Sequence, residues 1–200
     1  MGEEERANMD AVTIETYQAL AMRTSPDGHD RIMNGCLGLI GECGEVVDAV
    51  KKWKFQSGDH AELPREKLIE ETGDVLWYCA ELAEGLGEDM GKLYERYVVN
   101  LYSDARGGEA EGIEHAAVAL TREALNVWRE IYSSGGTGAY TDTGSTALLR
   151  LRITLIIRRV HAILEDWCCS TLEEAMTRNI DKLKKRYPDG FSPERSMHRE

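Results

Sequence analysis

Two stretches decide the fold: LGLIGECGEVVDAVKKW at 37–53 and REKLIEETGDVLWYCAELAEGLG at 65–87. At ~100° per residue, Cys36, Leu39, Ile40, Cys43, Val46, Val47, Val50 and Trp53 fall on one apolar arc. In the second stretch Leu68, Val75, Cys79, Leu82 and Leu86 do the same. Both therefore read as long amphipathic helices, each burying one face. Glu42 and Glu45 lie off the first arc, among Gly38, Gly41 and Ala49, while Lys67, Glu71, Asp74 and Tyr78 form a separate stripe on the second. Small residues beside two acids let another backbone come close; a merely solvated face would carry Lys, Gln or Arg.

Outward from these two segments the periodicity stays helical. Helices are predicted over about 10–24, 30–55, 63–85, 88–104, 113–132, 146–167 and 171–187. Ser25-Pro26-Asp27-Gly28, Ser57-Gly58-Asp59 and Tyr187-Pro188-Asp189-Gly190 act as stops, and Pro64 sits in a first-turn position. Ser170 or Thr171 caps the last helix, with Glu173 or Glu174 completing a capping box. Residues 105–112 form a polar break, and 133–145, rich in Gly, Ser and Thr, read as a mobile loop. No segment reads as a strand. The expectation is an all-α bundle of about seven helices.

Composition narrows the function classes. Two hundred residues suffice for one domain with a sizeable core. A net charge of -12 argues against a nucleic-acid polymer as partner, because counterion release favours basic proteins, and it makes a divalent cation a natural one. No apolar run is long enough to span a membrane, and the start, MGEEERANMD, lacks a basic and an apolar region. These features predict a soluble, cytoplasmic chain. Five cysteines without a CxxC pair read as reduced, buried thiols rather than a disulfide framework or zinc site.

The chemistry resides in Glu42-Cys43-Gly44-Glu45 and, after 25 intervening residues, Glu71-Thr72-Gly73-Asp74. Positions i and i+3 share one face of a helix, so each pair aims two carboxylates the same way. Two antiparallel neighbours can bring all four to one point, an oxygen-rich cluster suited to Mg²⁺ or Mn²⁺. Acid-x-x-acid pairs are common in so acidic a chain, and Glu81 with Glu84 is such a pair to which no role is given. A di-iron carboxylate bundle needs Glu-x-x-His pairs, and neither acidic pair contains His. The five histidines (29, 60, 115, 161 and 198) are scattered and receive no chemical role.

The same residues carry a resemblance. The run 37–53 followed by 65–87, with ExxE and ExxD at Glu42, Glu45, Glu71 and Asp74, resembles the MazG-like all-α nucleoside triphosphate pyrophosphohydrolases. TYQALAMRT (16–24) is similar to that family's first helix, and TLEEAMTRNIDKLKKRYPDGFSPERS (171–196) to its closing helix and tail. The resemblance implies Mg²⁺-dependent hydrolysis of a nucleoside triphosphate between the α and β phosphates. Glu42, Glu45, Glu71 and Asp74 would hold metal, with Glu42 or Glu45 orienting the attacking water. Lys52, or its neighbours Lys51 and Lys54, would reach the polyphosphate tail, and Tyr78 the base or sugar. Trp53 and Trp77 are base-contact candidates with an equal claim to the core. Asn179, Lys182 and Arg186 match polar positions of the closing helix and would clamp phosphate. The alternative is a non-catalytic nucleotide-sensing or assembly module that keeps the metal ligands.

The chain departs from the family pattern in one respect. About 80 residues separate the LAEGLG helix from the closing helix. At an offset of 82, DVLWYCAEL (74–82) overlies IIRRVHAIL (156–164) and LYERYVVNL (93–101) overlies AMTRNIDKL (175–183). Glu71 and Asp74 then correspond to Ile153 and Ile156, and Asn179 and Lys182 to Tyr97 and Asn100. Two readings follow: 1–104 as a metal-binding half with 105–200 as a degenerate repeat plus closing helix, a fused pseudo-dimer; or a helical insertion in an ordinary protomer. A homo-oligomer fits the second.

Overall fold

A short acid starts the longest helix. Asp30 has an extended backbone, and its side chain accepts from the Met33 amide at 3.0 Å, satisfying one of the orphan donors of the first turn. The computed structural model describes residues 12–58, 60–98, 112–133, 135 and 143–197. Among these, eight α-helices follow in order: α1 (Ile14–Met22), α2 (Arg31–Gln56), α3 (Arg65–Gly85), α4 (Met90–Val98), α5 (Gly112–Ser133), α6 (Thr143–Ile163), α7 (Leu172–Arg186) and α8 (Pro193–Met197). No strand occurs among the described residues, so the all-α expectation holds. The breaks expected at 105–112 and 133–145, the side chain of Tyr97 and all of Asn100 lie largely or wholly outside the described residues.

Three local details differ from the sequence reading. Pro64 stands at the N-cap of α3 rather than in its first turn, its carbonyl accepting from the Leu68 amide. The helix predicted to run to 167 widens after Ile163 into a π turn, Leu164–Cys168, which closes on Cys169 in the left-handed region at φ 53°. The cap of α7 agrees with the sequence reading: Thr171 accepts from the Glu174 amide at 3.2 Å, while Ser170 donates to the Glu174 carboxylate at 2.8 Å. The tail adds α8, which periodicity alone did not mark.

Helix α3 is the centre of the molecule. It packs against α2 along most of its length, and also meets α1, α4, α6, the π turn and α7. Pairs α2–α5 and α5–α6 close a layer around it. The apolar arcs fill this core: Cys36, Leu39, Cys43, Val46 and Val50 from α2, and Leu68, Val75, Cys79 and Leu82 from α3, are all buried. Ile153 and Ile156 of α6 are fully buried as well. Trp53 donates its indole N–H to the Ala61 carbonyl at 2.9 Å, which ties down the α2–α3 connection. The outer half is held by an ion network: buried Glu123 of α5 takes Arg152 at 3.0 Å and Arg159 at 3.6 Å from α6. Among the described residues no helix is long and apolar enough to cross a membrane.

All five cysteines are free, and only Cys169 is exposed. Burial pushes the Cys36 and Cys168 thiols up to about 11 and the Cys43 thiol up to about 12, so they remain protonated and inert. Titration of the native chain with an aromatic disulfide reagent is expected to release one fast equivalent, from Cys169, and the other four only after denaturation. Two or more fast equivalents would contradict the burial of the other four thiols.

Candidate functional site

The sequence places Glu42 in the middle of α2 and Glu71 and Asp74 one turn apart on α3. The packing of α2 on α3 brings one oxygen of each of these three carboxylates within 4.8 Å of the others. Glu71 is buried, and Asp74 and Glu42 are half-buried. Three like charges so close repel strongly in a partly dry environment, and the chain surrounds them with cations. Lys67, one turn before Glu71 on the same helix, meets Glu71 at 2.5 Å. Lys182 of α7 sits on Asp74 with Nζ 2.6 Å from both carboxylate oxygens. The contact with Glu71 raises the pKa of Lys67, keeping it charged.

A second layer fixes Asp74. Asn179 of α7 donates its amide to Asp74 Oδ1 at 2.8 Å, and its own carbonyl oxygen accepts from the Tyr17 hydroxyl at 2.8 Å. Tyr17 is fully buried; burial first, and the Asp74 charge second, push its pKa well above the phenol range. It therefore stays protonated and donates, and the Asn179 amide has only one orientation that serves both neighbours. α7 can lie this close because Gly73 has no side chain: a Cβ there would stand 3.1 Å from the Ala175 carbonyl. Tyr17 is a supporting residue that sequence reasoning missed, since its partner is 162 positions away.

From the carboxylates a cavity of about 200 Å³ runs along α2 and α3 toward the chain's tail. Glu42 and Asp74 lie at one end, and Trp77, Tyr78, Tyr187 and Phe191 give it aromatic walls. Tyr78 packs over Gly38, where any Cβ would fall about 2 Å from the ring, so the α2 glycine is what admits the aromatic wall. Trp77 stands edge-on to Tyr78, with ring centroids 4.8 Å apart, and donates to the Ala21 carbonyl and the Thr24 hydroxyl. Arg186 also lines the cavity.

Among the residues singled out from sequence, the structure thus brings together Glu42, Glu71, Asp74, Tyr78, Asn179, Lys182 and Arg186. Two stand apart. Glu45 is exposed and lies outside the group of three carboxylates, and Lys52 is paired with Asp48 of its own helix at 2.6 Å. Lys51 also meets Asp48, and Lys54 meets Glu114 of α5. Glu81, the acid given no role, is fully buried and accepts from His29, from Arg31 at 3.0 Å and from Asn34 at 3.3 Å. The signal that it is not a surface residue was available: position 81 lies between Ala80 and Leu82, on the side of α3 that the core covers.

An all-oxygen donor set of three acids, which recruits two lysines, fits a hard divalent cation. In the ion-free chain Lys182 supplies the positive charge that Asp74 requires. Lys182→Ala should therefore cost about 1–3 kcal/mol, a fall in Tm of roughly 2–12 °C for a chain of this size, when measured in chelator. Millimolar Mg²⁺ should restore most of the loss. An unchanged Tm in chelator would mean that the pair contributes nothing.

The comparisons agree with this geometry. The family model described as the MazG nucleotide pyrophosphohydrolase domain matches residues 33–100, which span α2, α3 and α4. The chain is also similar to the Gene 37 protein of Mycobacterium phage L5, 35% identical over 77 residues, which make up 38% of this chain and 68% of that protein. No solved structure matches significantly.

Proposed function

The chain belongs to the MazG nucleotide pyrophosphohydrolase domain family, and from that premise we propose that it hydrolyses a nucleoside triphosphate between the α and β phosphates. The products are the monophosphate and pyrophosphate, Mg²⁺ is the cofactor, and Mn²⁺ substitutes for it. The observation that carries this reading is the meeting of Glu42, Glu71 and Asp74, two of which, Glu42 and Asp74, line an aromatic-walled cavity. The reading takes the substrate as a small nucleotide, not a nucleic-acid polymer, and the setting as the cytoplasm.

Glu42, Glu71 and Asp74 would hold the cation. When bound, it neutralises phosphate charge and acidifies a water. Glu45, one turn beyond Glu42 and exposed, would orient the attacking water or serve as a fourth carboxylate ligand. Lys182 passes from Asp74 to a phosphate oxygen, exchanging one charge-assisted contact for another. Arg186, already in the cavity wall, takes a second phosphate oxygen with its planar fork. Asn179, itself held by the Tyr17 hydroxyl, keeps Asp74 in place. Tyr78 covers the sugar or base, and Lys52, beyond Glu45, meets the leaving pyrophosphate. Residues 1–104 then hold the acids, and residues 105–200 supply Asn179, Lys182 and Arg186. In this reading 105–170 is a degenerate copy of the first half, with Ile153 and Ile156 where Glu71 and Asp74 once stood, and the chain is a pseudo-dimer.

A panel of nucleoside triphosphates in Mg²⁺, with product identification, tests the reaction. Monophosphate and pyrophosphate are expected, with no diphosphate. Glu42→Gln and Asp74→Asn should each lower turnover at least a hundredfold while the helical circular dichroism is kept. Residues 1–104 alone should be inactive despite holding all four carboxylates. Diphosphate with orthophosphate would point to γ cleavage, and nucleotide binding without turnover would favour the sensing module.

A further inference from the structure

The buried acid Glu81 has no part in the chemistry above, yet it controls a residue that does face the cavity. Its side chain is fully buried on α3, and its carboxylate is held from three sides: His29 Nε2 and Asn34 Nδ2 donate to Oε1, and Arg31 Nη1 donates to Oε2 at 3.0 Å. Arg31 is itself anchored, donating to the Ser25 hydroxyl at 2.8 Å. A carboxylate in an arginine pair accepts and does not donate. The Asn34 amide is therefore fixed with its NH₂ toward Glu81 and its carbonyl oxygen turned away. Asn34 lines the same cavity as Glu42, Asp74, Trp77 and Tyr78.

The spacing along α2 gives Asn34 its meaning. It lies eight residues before Glu42, about 12 Å along the helix axis at 1.5 Å per residue, and Gly38, which admits the Tyr78 ring, stands halfway between. A triphosphate anchored at the carboxylate end would run its sugar past Tyr78 and bring the far edge of its base to Asn34. We propose that Asn34 reads the base, with Glu81 as its positioning residue, and that the preferred substrates carry an amino group at pyrimidine position 4 or purine position 6. This assignment rests on the nucleotide reading proposed above.

The chemistry of the edge makes the choice. Asn34 Oδ1 accepts from the amino group of cytosine or adenine, and the amide hydrogen not engaged by Glu81 donates to the adjacent ring nitrogen. In uracil or hypoxanthine both groups invert: a keto oxygen faces Oδ1, and a ring N–H faces the amide hydrogen. With the phosphates held by Lys182 and Arg186 at the carboxylate end and the ring held between aromatic walls, the base cannot shift register to repair both contacts. Sites built around hydrogen bonds discriminate strongly against analogues that leave those groups unpaired.

The test uses the full chain in Mg²⁺ and non-hydrolysable α,β-imido dCTP and α,β-imido dUTP, which differ only at that edge, with affinities from titration calorimetry. The wild type should bind the cytosine analogue at least tenfold tighter. Asn34→Ala should bring the two within about twofold. Glu81→Gln, whose amide can present either an oxygen or an NH₂ to Asn34, should lose most of the preference while retaining its Mg²⁺-dependent binding of the cytosine analogue. That loss is a readout a purely structural Glu81 would not give. A wild-type ratio near one, a preference for the uracil analogue, or an unchanged ratio in Asn34→Ala overturns the assignment; the wild-type ratio decides alone if a variant does not fold. Discrimination in binding without pyrophosphate release from dCTP would remove the hydrolase reading and leave the assignment. Equal binding with equal hydrolysis of dCTP and dUTP would do the reverse.

Discussion

A buried helix that carries acids is the constraint on which the structure turns. α3 is enclosed by α1, α2, α4, α6, the π turn and α7, and it still presents Glu71, Asp74 and Glu81 along its length. Carboxylates taken from water must find positive or hydrogen-bonding partners, or they destabilise the fold. Each finds them in a different part of the chain: Glu71 in Lys67 of its own helix, Asp74 in Lys182 and Asn179 of α7, and Glu81 in Arg31 and Asn34 of α2 and His29 just before it. Charge compensation thus orders segments that apolar packing alone would leave free to slide. Hydrophobic contacts bring α2 and α7 to α3, and the ion pairs set their register.

The partners also divide the acids by role. Glu81 is held on both oxygens by groups that are themselves enclosed or anchored, so it has the character of a fixed structural charge. Asp74 is held by a long, flexible lysine and a side-chain amide beside a cavity, and Glu71 by a lysine exposed to solvent. A lysine exchanges partners at low cost, because its ammonium is a point charge on a mobile stem, whereas a forked arginine pair holds its geometry. Helix α3 therefore has a locked end near Glu81 and an exchangeable end near Glu71 and Asp74. The cavity runs between them, which is the layout expected where one end of a ligand is recognised and the other reacts.

Much of this was legible in the sequence, and what was not has a common cause. The apolar arcs of α2 and α3 and the i, i+3 acids follow from helical geometry, so Glu42, Glu71 and Asp74 could be set on the correct faces before any contact was known. Asn179 and Lys182 were marked by the resemblance of 171–196 to the family's closing helix, and their spacing then put them on one face. What escaped were relations between distant positions. Tyr17 supports Asp74 through Asn179 across most of the chain, and nothing local marks a tyrosine as a donor. Glu81 resembled one more solvated acid because its partners precede it by about 50 residues. Glu45 shares a helix side with Glu42, but a residue that is three positions on is rotated about 60° around the axis, enough to leave it exposed while its neighbour turns in. Lys52 satisfied the spacing and was taken instead by Asp48 one turn away.

The two halves of the chain meet under the same rule. The outer pair α5–α6 carries its own buried acid, Glu123, yet the groups facing it are Arg152 and Arg159 rather than further carboxylates. A guanidinium there does by covalent attachment what a bound cation would do at Glu42, Glu71 and Asp74. Among the described residues the three-acid group occurs only on the inner pair. A site already neutralised by arginines, Arg122 of α5 as well as Arg152 and Arg159, has little electrostatic need for a metal, whereas one neutralised by exchangeable lysines retains it. The difference between the halves therefore lies less in how many acids each buries than in whether the compensating charge can leave.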